Sequence, residues 1–283
     1  MPDCRDIRAR LITETVRALF LGANIELGPD ALALLAQAVK AETSERARRV
    51  LEQILENARI AREDRMPLCQ DTGLAIVFAE LGQDVHVTDG DFSGAVQEGV
   101  RQAYRDGFLR KSVCDPLSRL NTGDNTPAIL HTEIVPGDRI RIRVMPKGGG
   151  SENMSGVAML TPAAGLEGIK QYVLDQVAGA GPNPCPPTVI GVGIGGNLET
   201  AVLLAKKALL RPLGEPNRQD QRLEEIEREL LARINRLGIG PQGYGGATTS
   251  LAVHCEMTPC HIASLPVAVN IQCHAVRHRE AVI

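Results

Sequence analysis

Two of the seven cysteines in this chain, Cys69 and Cys185, stand where turns and prolines constrain the backbone, and these thiols are the first groups that could do chemistry. Cys69 lies in MPLCQDTGLAIVF, after Pro67, before Gln70 and Asp71, with Gly73 opening a strand-like run. A thiol beside an amide and a carboxylate on a turn suits metal ligation or proton transfer, and an incidental buried thiol is the competing reading. Cys185 lies in NPCPPTVIGVGIGGN, where three prolines stiffen the backbone on both sides of it. Cys273 closes the apolar run LPVAVNIQ, where a thiol could simply extend a core strand. Cys4 and Cys114 are expected to be buried thiols, the ordinary fate of free cysteine.

These three cysteines are too far apart in the chain for the compact C-x₂-C pairs of zinc ribbons and ferredoxins, so any metal they share must be assembled by the fold. HCEMTPCH offers a rival set, His254, Cys255, Cys260 and His261. In a strand, neighbours point to opposite faces, which argues against one tetrahedral zinc site using all four. KGGGSEN at 147–153 could aim several backbone N–H groups at an anion, with Lys147 adding charge. It lacks P-loop spacing, so a dicarboxylate suits it better than a nucleotide phosphate. GVGIGG at 191–196 matches the dinucleotide pattern between a strand and a helix. The acid expected ~20 residues on is replaced by AKKALLRPLGEPN, which weakens the dinucleotide reading.

The elements that must position these groups follow from periodicity. Residues 6–62 read as helices with apolar positions three and four apart, and Ser44 as an N-cap. Segments at 74–78, 84–87, 128–135 and 139–145 read as strands, and 91–108 as a helix between them. A glycine- and proline-rich region spans 146–197, followed by helices over 198–210 and 219–237 and by strand-like SLAVH and ASLPVAVNIQ. The expected fold class is α+β in one domain, 1–283, with a helical N-terminal segment (1–62) packed on a mixed α/β core (63–283) whose glycine-rich loops converge on a site. With 31 basic and 34 acidic residues the net charge is −3, which argues against a nucleic-acid or membrane-surface partner. No secretion signal and no apolar run approaching the ~18 residues of a spanning helix are read, so the expected setting is cytoplasmic. An odd number of cysteines argues against a disulfide framework.

CQDTG, LRKSVCDPL, NTGDNTPA, KGGGSEN, CPPTVIGVGIGGN, GIGPQGYGG and LPVAVNIQCHA occur in this order across nearly the whole chain. Together they resemble the N-terminal domain or α subunit of class I iron–sulfur fumarate hydratases and L-tartrate dehydratases. The resemblance implies a [4Fe–4S] cluster held by Cys69, Cys185 and Cys273, with a fourth iron left for substrate. It implies that Gln70 and Asp71 contact the substrate or its hydroxyl, with Asp71 catalytic. Arg110 would clamp a carboxylate, a backbone N–H at Gly149 would contact the substrate, and His261 would lie near the active site. Single-chain members continue into a C-terminal domain carrying further arginines, a lysine and a threonine base. The resemblance is therefore to the two-subunit form, with a β subunit as partner in an α₂β₂ assembly. The implied reaction is reversible hydration of fumarate to malate, as in the tricarboxylic acid cycle, with L-tartrate dehydration as the alternative. A dinucleotide-binding oxidoreductase and a structural zinc protein are the readings outside the lyases.

Overall fold

Residues 4–218 and 220–283 are described by the computed structural model. In chain order the first elements are Arg5–Arg8 (β1), Ala9–Ile25 (α1), Pro29–Ala41 (α2), Glu45–Glu63 (α3), Leu74–Gly82 (β2), Val85–Thr88 (β3) and Phe92–Asp106 (α4). Ile129–Val135 (β4), Ile140–Lys147 (β5), the single turn Gly149–Glu152 (α5), Gly156–Leu160 (β6) and Gly165–Ala180 (α6) follow. The chain then runs through Thr188–Gly195 (β7), Leu198–Ala208 (α7), Gln221–Asn235 (α8), Ser250–Thr258 (β8), Leu265–Gln272 (β9) and Arg279–Val282 (β10). Contacts group these elements into two compact units. The first holds the residues up to Leu27, Ala58–Gly149 and Arg277–Ile283; the second holds Gly28–Asn57 and Gly150–Val276.

In the first unit a four-stranded sheet runs β10-β5-β2-β4, with β2 antiparallel to β5 and parallel to β4. Its core joins Ile12, Val16 and Phe20 of α1 to Val96, Val100 and Tyr104 of α4 and to Val77, Ile142 and Val144 of the sheet. The spacing of those helical positions puts them on one face, and each fully buried Val, Ile or Phe stabilises by roughly 1.5–3 kcal/mol. Asp91 starts α4 by accepting the Gly94 N–H at 2.7 Å. Arg5–Arg8 pairs in parallel with β3, so residues 6–8 are strand where a helix is expected from the sequence.

In the second unit the sheet runs β6-β9-β7-β8, with β7 parallel to β8 and antiparallel to β9. The strand TVIGVGIG is buried throughout, and its period-two alternation assigns each residue a face. Ile190, Val192 and Ile194 enter the core with Val173 of α6 and Leu230 of α8. Gly191 and Gly193 take the other face, where an added Cβ would stand 2.0 Å from the Ala205 and Ala201 carbonyl oxygens of α7. These glycines are therefore explained by close strand–helix packing. Asn197 caps α7, accepting the Thr200 N–H at 2.8 Å.

A 16-residue helix, α6, occupies part of the region read as glycine- and proline-rich loops. Its Ile169, Val173, Leu174, Val177 and Ala180 are buried at helical spacing, but Gly165, Gly168 and Gly179 mask the pattern. The helix expected over 219–237 is observed as Gln221–Asn235, and Gln219 lies outside the described residues. Ala9–Ala41 contains an 18-residue window of mean hydropathy 1.4, apolar enough to span a membrane, against the expectation of no such run. The stretch is two helices of 17 and 13 residues, parted by extended backbone at Glu26 and Gly28, and each is shorter than the ~20 residues of a span.

Candidate functional site

The turn over residues 69–73 leads into β2, whose first residue pairs with Lys147 at the end of β5. That register sets the turn beside residues 148 and 149. Asp71 uses both carboxylate oxygens there: Oδ1 accepts the Gly73 N–H at 3.0 Å and Oδ2 accepts the Gly149 N–H at 2.8 Å. Gly73 sits at φ +76°, and a Cβ on it would lie 2.6 Å from the Lys147 backbone, so only glycine permits this approach. Lys147 itself closes β5 and is fully buried, rather than lending charge to an open loop as the sequence suggested.

Behind the turn, buried polar groups fix its carbonyls. Tyr104 Oη donates toward the Thr72 and Gly73 carbonyls at 2.8 and 2.9 Å, and burial pushes this phenol's pKa up, so it stays a donor. Asn125, at φ 62°, donates to the Gly73 carbonyl at 3.2 Å and accepts the Ser112 N–H at 2.6 Å. The Thr126 hydroxyl first, then the Thr126 N–H and Arg101, hold the neighbouring Asp124 carboxyl down at about 2, overcoming its burial. The Thr72 hydroxyl donates to the Arg110 carbonyl at 2.9 Å, tying the Arg110 backbone to the same turn. The Arg110 side chain is exposed and has no ion-pair partner among the described residues. Cys69 Sγ lies 3.2 Å from Gln70 Oε1. The first unit thus gathers Cys69, Gln70, Asp71, Gly149 and Arg110 around one turn.

Arg277 has no place in the sequence reading, yet the structure builds the turn on it. Its side chain is 1% exposed, and Nη1 donates to the Asp71 carbonyl at 2.6 Å and to Asn24 Oδ1 at 3.2 Å. An isolated arginine four residues after a cysteine offers no periodic signal.

The second unit holds Cys185 and Cys273. Cys185 is exposed at φ 55°, between the buried Pro184 and Pro186. Cys273 directly follows β9. His274 joins the two segments: its N–H donates to the Cys185 carbonyl at 3.3 Å, and its Nδ1 lies 3.1 Å from the same oxygen. His261 stands on an exposed turn of the same unit, where Nδ1 accepts the Ala263 N–H at 3.1 Å. It lines an apolar groove of about 630 Å³ with Cys260, Ile262 and Leu166. Within neither unit do three or more His, Cys, Asp or Glu side chains gather to hold a metal ion, among the described residues. The donor set nevertheless suits an iron–sulfur group: thiols, on turns or strand ends, with two of the three segments fastened together.

The rival zinc set is divided by the sheet. His254 faces α7, with Nδ1 3.1 Å from the Ala208 carbonyl, whereas Cys255 is buried in the core shared with α6 and α8. Burial, followed by the nearby Glu227, pushes the Cys255 thiol pKa well up, so it is a poor thiolate ligand. Of the thiols expected to be buried, Cys4 is exposed and Cys114 half-buried, because Cys4 precedes β1 and Cys114 forms an isolated bridge with Asn121 in a surface loop.

A family model described as fumarate hydratase (Fumerase) matches residues 13–282. A protein of Methanocaldococcus jannaschii named "Putative L(+)-tartrate dehydratase subunit alpha" is 46% identical over 272 residues, covering 94% of this chain and 95% of the relative. The L(+)-tartrate dehydratase subunit alpha of Escherichia coli (strain K12) is 32% identical over 270 residues, covering 94% of this chain and 88% of the relative.

Proposed function

Because the chain belongs to the class I fumarate hydratase and L-tartrate dehydratase α-subunit family, and with it to the hydro-lyases, we propose that it is the α subunit of an enzyme that reversibly hydrates fumarate to malate. The observation that carries the reading is the Asp71 turn, which brings a carboxylate, a backbone N–H at Gly149 and the Arg110 backbone beside Cys69. Cys69, Cys185 and Cys273 hold a [4Fe–4S] cluster. When bound, that group would supply Lewis acidity toward the substrate hydroxyl.

This chain's own residues do the rest. Arg110 presents a planar fork suited to one substrate carboxylate, and its anchored backbone limits where that fork can reach. Asp71 is held by two N–H groups and acts on the proton of the substrate hydroxyl, with Gln70 beside it as an uncharged hydrogen-bonding partner. A substrate carboxylate that takes the Gly149 N–H displaces Asp71 Oδ2 from it, so substrate arrival and Asp71 release are coupled. His261 is a further substrate contact in this reading, as the resemblance implies. The proton-abstracting base is supplied by a separate β subunit, in keeping with the "subunit alpha" in the relatives' names, and the assembly is α₂β₂. A cytoplasmic setting suits a chain with seven free cysteines and an oxygen-labile group.

L(+)-tartrate is the second substrate reading, and the names of the two relatives favour it. Both substrates carry two carboxylates on adjacent carbons, so Arg110 and Gly149 serve either. Anaerobic reconstitution of the full chain should give about four irons and four sulfides. Full retention of both by Cys185→Ala refutes the ligand assignment. Turnover of the chain with its β partner on malate and on tartrate then orders the substrates, and a kcat/KM for tartrate far above that for malate makes tartrate the substrate.

A further inference from the structure

Gln242 sits in the motif GIGPQGYGG, to which the reaction assigns no role. Its backbone is left-handed at φ 52°, a conformation that costs a non-glycine residue free energy and persists where surrounding contacts impose it. The contacts are specific. Its main-chain N–H and its side-chain Nε2 both donate to the Pro186 carbonyl at 2.8 Å, the residue directly after Cys185. The same Nε2, which carries two hydrogens, lies 3.1 Å from His274 Nδ1, in the residue directly after Cys273. His274 Nδ1 is also 3.1 Å from the Cys185 carbonyl, so whichever ring nitrogen carries the proton, one of these two contacts is a hydrogen bond. The loop is pressed onto the cysteine turn from the other side too, since a Cβ at Gly243 would stand 2.4 Å from Pro182 Cβ. The Cys185 N–H closes that turn on the Pro182 carbonyl at 3.0 Å.

With the proton on His274 Nε2, this one side chain bonds the segments of two cysteines that lie 88 positions apart in the sequence, at 185 and 273. We infer that Gln242, acting through His274, is a positioning residue that holds Cys185 and Cys273 in the arrangement required to bind the iron–sulfur cluster. This rests on the ligand assignment proposed above. Outer-shell partners that orient metal ligands are typically worth about 10–100-fold in metal affinity.

The test uses the full chain, reconstituted anaerobically with iron and sulfide, as parent, Gln242→Gly and His274→Ala. Glycine keeps the left-handed turn and removes only the side-chain bonds. The readouts are iron and sulfide per chain, the rate of iron loss to a chelator, the electron paramagnetic resonance spectrum of the reduced cluster, and the thermal midpoint of the metal-free chain. The expected result is an unchanged metal-free midpoint for Gln242→Gly, with iron lost about 10–100-fold faster and an altered spectrum, and the same direction for His274→Ala. Iron loss and spectra indistinguishable from the parent in both variants overturn the positioning role while leaving the ligand assignment standing. A faster loss matched by a collapsed metal-free midpoint in both variants also overturns it, since the loop then supports the fold and not the thiols. A parent chain that takes up no cluster refutes the ligand assignment itself, and this inference with it.

Discussion

Asp71 is held at three atoms: both carboxylate oxygens accept backbone N–H groups, and its carbonyl accepts from Arg277. Replacing it by asparagine keeps the shape but sets an NH₂ group against one of those N–H donors, and it removes the proton acceptor. In the assembled enzyme, Asp71→Asn should keep its iron and sulfide and lose about 10²–10⁴-fold in kcat, the usual worth of a positioned acid–base group. A kcat within a few-fold of the parent would place the chemistry wholly on the partner. Gly73 gives a sharper test of the backbone. At φ +76°, with Lys147 2.6 Å from where a Cβ would go, Gly73→Ala faces both a left-handed penalty of about 1–3 kcal/mol and a clash with a strand end. The variant should unfold at clearly lower denaturant than the parent, and an unchanged midpoint would mean that the turn can relax away from β5.

Glu42 shows how one side chain can join elements far apart in sequence. It follows α2 and is 1% exposed, accepting from the Thr43 and Ser44 N–H groups before α3 and from the Ala247 and Thr248 N–H groups before β8. Burial raises its pKa, but the hydrogen bonds from Ala247, Ser44 and Thr248 outweigh this and leave it below the ordinary carboxylate value. A group whose folded pKa is depressed stabilises above its unfolded pKa, about 4.3, and loses that contribution as pH falls through the folded value. Glu42→Gln should therefore lower the thermal midpoint most at pH 6–7, with the gap to the parent narrowing below about pH 4; a gap independent of pH would remove the carboxylate from the argument. No spacing in the sequence announces such a clamp. What sequence does announce is periodicity: α4 with Asp91 at its start and the alternating strand RIRIRVM are found close to where they are read. The GVGIGG pattern admits both a packing and a phosphate reading, and only the position of α7 decides between them. Helix α6 was hidden because its glycines dilute the apolar spacing. Arg277 and Gln242 were illegible because their roles depend on carbonyls contributed by distant segments, Asp71 and Pro186.

At the scale of the molecule, the residues gathered around the Asp71 turn would, in the proposed reading, supply part of a dicarboxylate site. Arg110 is one exposed cation on an anchored backbone, and the Gly149 N–H is already engaged with Asp71. Hydration across a double bond needs both carboxylates fixed so that the reacting carbons meet the hydroxyl and the base together, and that orientation is where binding energy becomes rate. A site holding one end of its substrate loses this coupling, so its deficit appears in kcat as well as in KM. The full chain alone, with about four irons, should therefore turn over fumarate far below the roughly 1–10³ s⁻¹ ordinary for enzymes. Titration with the β subunit should raise the rate until the two chains are equimolar and then level off. If the chain alone reaches ordinary rates, the second clamp and the base lie among its own residues, and Lys147, Arg277 and His261 become the first candidates to mutate. If addition of the partner restores KM but leaves kcat low, the partner supplies binding without the base, and the proton-abstracting group must again be sought on this chain.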